Sequence, residues 1–190
     1  MAAQPTPRMT PEEYLAIERA AEFKSEYYDG QMFAMSGGTF PHVLTISNIS
    51  YALRNGLPGR DCKVLSSDLR VRASGRAYCY PDIAVLCESP RFADDQKDTL
   101  LNPVLLVEVL SPSTEAYDRG FKFSQYRKIE SLQEYVLVWQ TEPRIEVFQR
   151  GPGTEWIFRD FSGLDAACHL ASLPCDVPLA AVYDGVPFED

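Results

Sequence analysis

The chain has 190 residues, 45% of them hydrophobic, and its 27 acidic and 18 basic side chains give a formal net charge of -9 at pH 7. This length suits one domain with its own core and is short for two, so we expect a single domain over residues 1–190. The acidic balance argues against a protein that coats nucleic acid by bulk electrostatics, because that mode of binding needs Lys and Arg to replace counterions.

The first predicted elements are a helix and a hairpin. In Thr10-Pro11-Glu12-Glu13 a capping hydroxyl precedes a proline at the first helical position and a glutamate at the capping-box position. A helix is therefore expected from residue 10 to about Glu22. Residues 27–33 have the pattern of two short strands around the turn Asp29-Gly30, which predicts a β-hairpin.

A second helix and two strands follow. Four residues recur at helical spacings and therefore share one helical face: His42, Ile46, Ile49 and Leu53. They predict an amphipathic helix over residues 41–53 that ends near Asn55-Gly56. Residues 64–73 and 80–87 are predicted strands joined by a turn at residues 74–76, and residues 88–102 are a predicted polar loop.

The strand with the clearest pattern is residues 103–110, an almost unbroken apolar run that stops at Ser111-Pro112. Such a run suits a strand buried on both faces, so we expect it to be central in the sheet. Ser113 or Thr114 can cap a helix that extends to about Glu130. Further predicted elements are strands over residues 135–139, 145–148 and 156–161 and a short helix near Ala180.

Together these elements predict an α/β protein. Its core, residues 26–150, has the order helix, three strands, helix, strand, which we expect to form a mixed central sheet. The N-terminal helix over residues 10–22, the hairpin and the strands of the C-terminal extension, residues 151–190, are expected to be additions to that core.

Glu108 is the most informative residue for function. It lies between Val107 and Val109 in the apolar run, where an unpaired carboxylate would be very costly. It therefore needs a cation, either an arginine in a structural ion pair or a metal ion. Both alternatives remain open from Glu108 alone.

Asp82 supplies a second carboxylate. It follows Pro81 at the start of a predicted strand. If this strand is the neighbour of the strand that carries Glu108, the two carboxylates can point to the same side of the sheet. They would then form an oxygen-rich pocket suited to Mg²⁺, which explains why two negative charges lie so close together.

Tyr80-Pro81-Asp82, followed by Glu108 26 residues after Asp82, resembles the PD-(D/E)XK signature of restriction-enzyme-like nucleases. The predicted element order is similar to the αβββαβ core of that superfamily. The likeness is closer to a bacterial family of restriction-endonuclease-like proteins of unknown function, and it extends over about residues 26–183. The residues that carry this closer likeness are Val107 to Thr114, Asp118, Lys122 and Tyr126.

One departure from the superfamily motif concerns its lysine, because Leu110 stands at that position. Lys122 is the best substitute, since Asp118, Lys122 and Tyr126 are four residues apart on the next predicted helix and share a face. That face can look back toward Glu108, and we predict Lys122 within a few ångströms of the carboxylates of Asp82 and Glu108. The alternative is a solvated ion pair of Asp118 with Lys122.

Two further residues match positions of that family. Glu26, before the hairpin, either assists the metal or closes a turn. His42, at the start of the second helix, is more simply explained as a core histidine bonded to a backbone carbonyl than as a metal ligand, because His169 is the only other histidine.

The resemblance implies an endonuclease that hydrolyses nucleic-acid phosphodiester bonds, with DNA as the expected substrate. Mg²⁺, with Mn²⁺ as a substitute, would be held by Asp82, Glu108 and the backbone carbonyl of Val109, and Lys122 would stabilise developing charge. Two alternatives remain. One is a catalytically degenerate nuclease fold that acts as a binding module, and the other is a metal-dependent phosphoesterase for small substrates.

The remaining expectations concern assembly, location and cysteines. A small nuclease that makes double-strand breaks needs two sites, so we predict a homodimer formed through exposed aromatic strands near Trp139 and Phe148 or over residues 156–161. No apolar run suits a transmembrane helix and residues 1–9 lack a signal-peptide core, so we expect a soluble, cytoplasmic protein. Five scattered cysteines without a C-x-x-C spacing predict neither a disulfide framework nor a zinc ribbon: Cys62, Cys79, Cys87, Cys168 and Cys175.

Overall fold

The structure, a computed structural model, describes residues 8–57, 61–66 and 68–188. Its helices are α1 (Pro11–Ala20), α2 (Phe40–Asn55), α3 (Phe123–Tyr126) and α4 (Leu179–Val182), and a π-helical segment (Tyr117–Lys122) leads directly into α3. Its strands are β1 (Ser25–Tyr28), β2 (Gln31–Ala34), β3 (Lys63–Ser66), β4 (Arg70–Ser74), β5 (Ala77–Cys79), β6 (Ile83–Leu86), β7 (Thr99–Leu100), β8 (Leu105–Leu110), β9 (Glu134–Trp139), β10 (Arg144–Arg150), β11 (Trp156–Ser162), β12 (Ala167–Leu170) and β13 (Cys175–Pro178).

The described ranges contain no helix that is both long and apolar enough to cross a membrane. The terminal residues 1–7 and 189–190 of the predicted domain lie outside the described residues. The single-domain organisation stays a prediction.

The larger sheet has six strands in the order β11-β10-β9-β8-β6-β3. β8 and β9 run parallel and the other neighbours run antiparallel, so the predicted mixed central sheet is confirmed. All six residues of β8 are buried, as expected for a central strand. Val107 and Val109 pack into the core beneath α2, whereas Leu106 and Leu110 pack with Tyr126 on the opposite face.

The smaller sheet has five strands in the order β2-β1-β5-β4-β7. Its predicted hairpin is confirmed: Asp29 and Gly30 both have positive φ, at 46° and 88°, as a tight turn between β1 and β2 requires. The predicted start of α1 is also confirmed, because Thr10 and Glu13 form a complete capping box. Tyr14 of α1 stacks on Tyr27 of β1 with ring centroids 4.9 Å apart, which fixes the helix on the hairpin.

Two predicted strands are broken in the structure. Residues 64–73 form β3 and β4, which belong to different sheets, because the backbone turns where Asp68 N–H donates to the carbonyl oxygen of Ser66. The predicted strand over residues 80–87 is only β6, and Pro81 separates it from β5. These two breaks allow the chain to contribute strands alternately to both sheets.

The structure also departs from the prediction after residue 88. The predicted polar loop over residues 88–102 contains β7, which pairs with β4, and the predicted helix ends at Tyr126 rather than near Glu130. Two further strands, β12 and β13, had no clear pattern in the sequence. They pack beside α2 in the same core cluster as Val107.

The cysteine prediction is wrong at one pair. Cys62 and Cys87 form a disulfide bond with an S–S distance of 2.04 Å. They flank the antiparallel pair Lys63 and Leu86 of β3 and β6, so the strand register sets the two cysteines opposite each other. That register could not be read from cysteine spacing alone. The other described cysteines are all buried: Cys79, Cys168 and Cys175.

Only part of the predicted exposed aromatic surface is exposed. The ring of Phe148 lies 4.5 Å from that of Phe123 and is partly buried, and Trp139 is likewise partly buried. β11, by contrast, is an edge strand on which Ile157 and Phe158 are 43% and 50% exposed. A contact with another chain through this sheet would therefore use β11.

Candidate active site

A pocket of about 420 Å³ lies between the β1–β2 hairpin, the start of α2, the ends of β6 and β8, and the π-helical segment. It brings together residues that are far apart in sequence. The predicted site residues that line it are Glu26, His42, Asp82, Glu108, Val109, Asp118 and Lys122. Tyr126 lies behind this wall and bonds to Glu108.

The two predicted metal-binding carboxylates lie on neighbouring strands. β6 and β8 are antiparallel with Ile83 opposite Val107, and one further residue in this register sets Asp82 opposite Glu108. Opposed residues of an antiparallel pair share a face of the sheet. Asp82 Oδ2 also accepts a hydrogen bond from the backbone N–H of Val109 at 2.7 Å. This bond holds Asp82 against the end of β8.

Glu108 is only 3% exposed and lies in the least solvated part of the pocket. Its Oε1 atom accepts hydrogen bonds from Lys122 Nζ at 3.0 Å and from Tyr126 OH at 2.9 Å. Burial raises the pKa of Glu108 well above its usual value, and Lys122 offsets only part of that rise. The nearby carboxylates, Asp118 first among them, raise the pKa further. Any additional positive charge in the pocket would therefore stabilise the ionised form of Glu108.

Lys122 is the cation on which three acidic residues converge. Its Nζ lies 3.0 Å from Glu108, 3.2 Å from Glu26 and 3.3 Å from Asp118. Burial lowers the pKa of the ammonium, but these carboxylates outweigh that effect and raise it well above the usual value. The predicted approach to Glu108 is confirmed, whereas Asp82 is not among the ion-pair partners of Lys122 within the described chain.

The π-helical segment explains how Lys122 reaches the site. Asp118 and Lys122 both lie in this widened turn, are 3% and 6% exposed, and form a buried ion pair, so the solvated alternative is wrong. Burial raises the pKa of Asp118, while Lys122 lowers it. Leu110, at the motif's lysine position, packs in the apolar cluster with Tyr126. The ammonium beside Glu108 therefore comes from the following helical segment.

Glu26 lies inside β1 rather than before the hairpin, and it is held on both oxygens. Oε1 accepts from the backbone N–H of Tyr80 at 3.0 Å, and Oε2 accepts from Tyr117 OH at 2.9 Å. Burial, and then Glu26 itself, raise the pKa of Tyr117, so this hydroxyl stays a donor. The roles of Tyr80 and Tyr117 were not predicted from the sequence. Tyr117 directly precedes Asp118, and that proximity was the available signal.

His42 contacts Asp82 and not a backbone carbonyl, so that expectation is wrong. It occupies the first turn of α2, and its Nε2 lies 3.5 Å from Asp82 Oδ1. The contact with Asp82 raises the pKa of His42, and burial opposes the rise. Asp82 is therefore held by the Val109 N–H on one oxygen and approached by His42 on the other.

The donor set fits a small divalent cation with water in its remaining positions. Within the described residues, no three Asp, Glu, His or Cys side chains form a metal-holding group by themselves. Mg²⁺, however, needs only one or two carboxylates, since it keeps several waters. In a strand the N–H and C=O of one residue point the same way, so the carbonyl of Val109 faces the side of Asp82. Asp82, Glu108 and this carbonyl are suitable oxygen donors.

Comparisons with known proteins identify the family and the fold of this chain. Residues 11–181 match the model of the Uma2 family, described as "Putative restriction endonuclease". "Uncharacterized protein slr1290" of Synechocystis sp. (strain PCC 6803) is 38% identical over 187 residues, which cover 97% of this chain and 96% of that protein. "Uncharacterized protein sll1609" of the same organism is 34% identical over 167 residues, which cover 87% of this chain and 94% of that protein.

A solved structure has the same fold. The crystal structure of "a putative nuclease belonging to DUF820" from Anabaena variabilis superimposes with a TM-score of 0.75 and covers 94% of this chain and 99% of that chain. Sequence identity is 19%, so this likeness concerns the fold alone. The predicted restriction-endonuclease-like fold class is confirmed.

We predict that Glu108→Gln stabilises the metal-free protein by about 1 kcal/mol at neutral pH, because it removes a buried charge and keeps an acceptor oxygen. Because the pKa of Glu108 is higher in the folded chain than in the unfolded chain, ionisation of this carboxyl group costs the folded state more than the unfolded state. Wild-type stability therefore falls as pH rises above the usual carboxyl pKa of 4.5, and the advantage of the variant grows over that window.

Urea denaturation in the presence of a chelator measures this difference at several pH values. Glu130→Gln is the control, since Glu130 is exposed. A Glu108→Gln variant less stable than wild type at neutral pH, or an advantage independent of pH, would contradict the prediction.

Proposed function

This chain belongs to the Uma2 family of restriction-endonuclease-like proteins, and on that premise we propose that it is a metal-dependent endonuclease that hydrolyses phosphodiester bonds of nucleic acid, with DNA as its substrate. The observation that carries the proposal is the opposed pair Asp82 and Glu108 with the buried ammonium of Lys122 beside it. Two carboxylates and a lysine at one end of a central sheet suit phosphodiester hydrolysis.

We assign the metal-binding role to Asp82, Glu108 and the carbonyl of Val109, with Mg²⁺ as the ion and Mn²⁺ as a substitute. A bound divalent ion supplies Lewis acidity toward a phosphate oxygen and a lowered pKa for bound water. Val109 N–H and His42 orient Asp82, and Tyr126 orients Glu108 through its hydroxyl.

Lys122 has the electrostatic role in this proposal. Its raised pKa keeps it charged at neutral pH, so it can stabilise the negative charge that develops on the phosphate. Glu26 and Asp118 hold the ammonium in place beside Glu108. Because the residue is nearly fully buried, its position is fixed before substrate binds, and little reorganisation is needed.

A phosphoesterase for small substrates is the second candidate. It is favoured by the acidic lining of the pocket, in which four carboxylates face one lysine and one histidine. A small phosphodiester needs no basic groove. Comparing cleavage of an oligonucleotide with cleavage of a small aryl phosphodiester distinguishes the two candidates. The degenerate-nuclease alternative, motivated by Leu110, predicts cleavage of neither. The cytoplasmic location stays a prediction.

The first prediction concerns metal binding. The double variant Asp82→Ala, Glu108→Ala should lose Mg²⁺ and Mn²⁺ binding in isothermal titration calorimetry, because it removes both carboxylate donors. The matched control is Glu88→Ala, Asp95→Ala, which removes two exposed carboxylates and the same formal charge. Unchanged metal affinity in the site variant would remove the basis of the proposal.

The second prediction concerns Lys122. Lys122→Met should bind metal normally and cleave at least about a hundredfold more slowly, since methionine preserves the packing of the stem and removes one electrostatic stabiliser. Lys128→Met, at an exposed position just beyond α3, is the control and should retain full activity. Cleavage is measured on protein whose fold is verified by circular dichroism. Full activity in Lys122→Met would favour the degenerate alternative.

The third prediction is a homodimer. β11 is an edge strand with exposed Ile157 and Phe158, and unpaired edges of this kind readily pair with another chain. Light scattering at micromolar concentration should give twice the chain mass of 21.4 kDa, and Phe158→Asp should shift the protein toward the monomer. A wild-type monomer would refute it.

A further inference from the structure

An aromatic side chain stands directly beside the carboxylates of the pocket. In the β1–β2 hairpin Phe33 is the antiparallel partner of Glu26. Directly opposed residues share a face, with Cβ atoms about 5 Å apart. Phe33 therefore lies on the same side of the hairpin as Glu26, lines the pocket, and is nevertheless 44% exposed. The exposed part of this large apolar ring is not stabilised by packing.

Phe40 begins α2 and is 69% exposed, but it does not line the pocket. His42, two residues later, does line it, and residues two apart on a helix point to different faces. In the part of the chain that the structure describes, Phe33 is therefore the strongly exposed phenylalanine of the pocket.

The charge of the pocket excludes the usual means of holding a nucleic-acid duplex. Among the described residues that line it, Lys122 is the one lysine or arginine, and it is buried and shared by three carboxylates. Arg119, three residues before Lys122, forms ion pairs with Glu146 and, at 3.4 Å, with Glu115. Duplex affinity depends on Lys and Arg side chains that neutralise several backbone phosphates. The described residues that line the pocket do not provide such a set of side chains.

We propose that the pocket takes single-stranded nucleic acid, with Phe33 as a platform on which an unpaired base stacks next to the scissile phosphate. The inference rests on the proposed nuclease function and specifies its substrate class. Base faces are accessible in a single strand and covered by neighbouring bases in a duplex. Stacking on an aromatic ring supplies affinity without phosphate neutralisation and tolerates any base. A pocket with an exposed aromatic ring beside its carboxylates thus suits an unpaired strand.

The experiment measures binding by fluorescence anisotropy in Ca²⁺, with a labelled oligo(dT) strand and a blunt duplex of equal length. Wild-type protein is expected to bind the single strand more tightly than the duplex. Phe33→Ala should weaken single-strand binding about five- to a hundredfold, the range for loss of one stacking platform. Phe33→Trp should restore it. Phe23→Ala, at a position 78% exposed, is the control and should leave binding unchanged.

Salt dependence provides a second readout that a purely structural role of Phe33 would not produce. A site that relies on stacking should show a slope of log affinity against log salt near that of one phosphate contact, about -0.7 for a single strand. Equal or tighter duplex binding, an unaffected Phe33→Ala variant, or a slope several times steeper would each overturn the inference.

Hydrolysis of bis(p-nitrophenyl) phosphate in Mg²⁺ separates this inference from the proposed function. That substrate has no bases, so its hydrolysis should depend on Glu108 and should not require oligonucleotide binding. Glu108-dependent hydrolysis without any oligonucleotide binding would overturn the single-strand inference and leave the metal chemistry intact. Failure of both assays would overturn the proposed function and this inference together.

Discussion

The ammonium of Lys122 is the point on which the structure of the site depends. It connects β1 through Glu26, β8 through Glu108 and the π-helical segment through Asp118, and so it joins the two sheets and the segment that precedes α3. Burying four charged groups is costly, and only their mutual contacts and hydrogen bonds offset that cost. Loss of the one cation would leave three buried carboxylates without compensation. The same arrangement that holds the walls of the pocket also sets its electrostatics.

The position of the cation in the chain is less constrained than its position in space. Leu110 lies where the superfamily motif has a lysine, and its side chain belongs to an apolar cluster. The structure supplies the ammonium to Glu108 from the π-helical segment instead. What the chemistry requires is a positive charge beside the carboxylate, and a helix that packs back over the strand end can deliver it as well as the strand itself. A motif search that demands lysine two residues after Glu108 would miss this site.

Much of the site could be predicted because burial and charge conflict visibly in the sequence. The position of Glu108 inside an apolar run predicted a buried carboxylate. The spacing of Asp118, Lys122 and Tyr126 predicted that they share a helical face. What could not be predicted depends on strand register and sheet membership. The break between β3 and β4 and the pairing of Cys62 with Cys87 follow from which strands become neighbours, and the contact of His42 with Asp82 follows from where α2 packs on the sheet. No local pattern encodes those neighbours.

The π-helical segment sets the directions in which the residues before and after it point. A π turn holds one more residue than the α-helical turn it replaces, so residues 117–122 absorb one extra residue without changing the direction in which the flanking residues point. If the same residues formed ordinary α-helix, the residues after them would rotate relative to those before them by about 100°, the angle per residue of an α-helix. Tyr126 would turn away from Glu108 or Tyr117 away from Glu26. The widened turn therefore keeps Tyr117 beside Glu26 and Tyr126 beside Glu108 at the same time, although the residues concerned form only a turn and a half of helix.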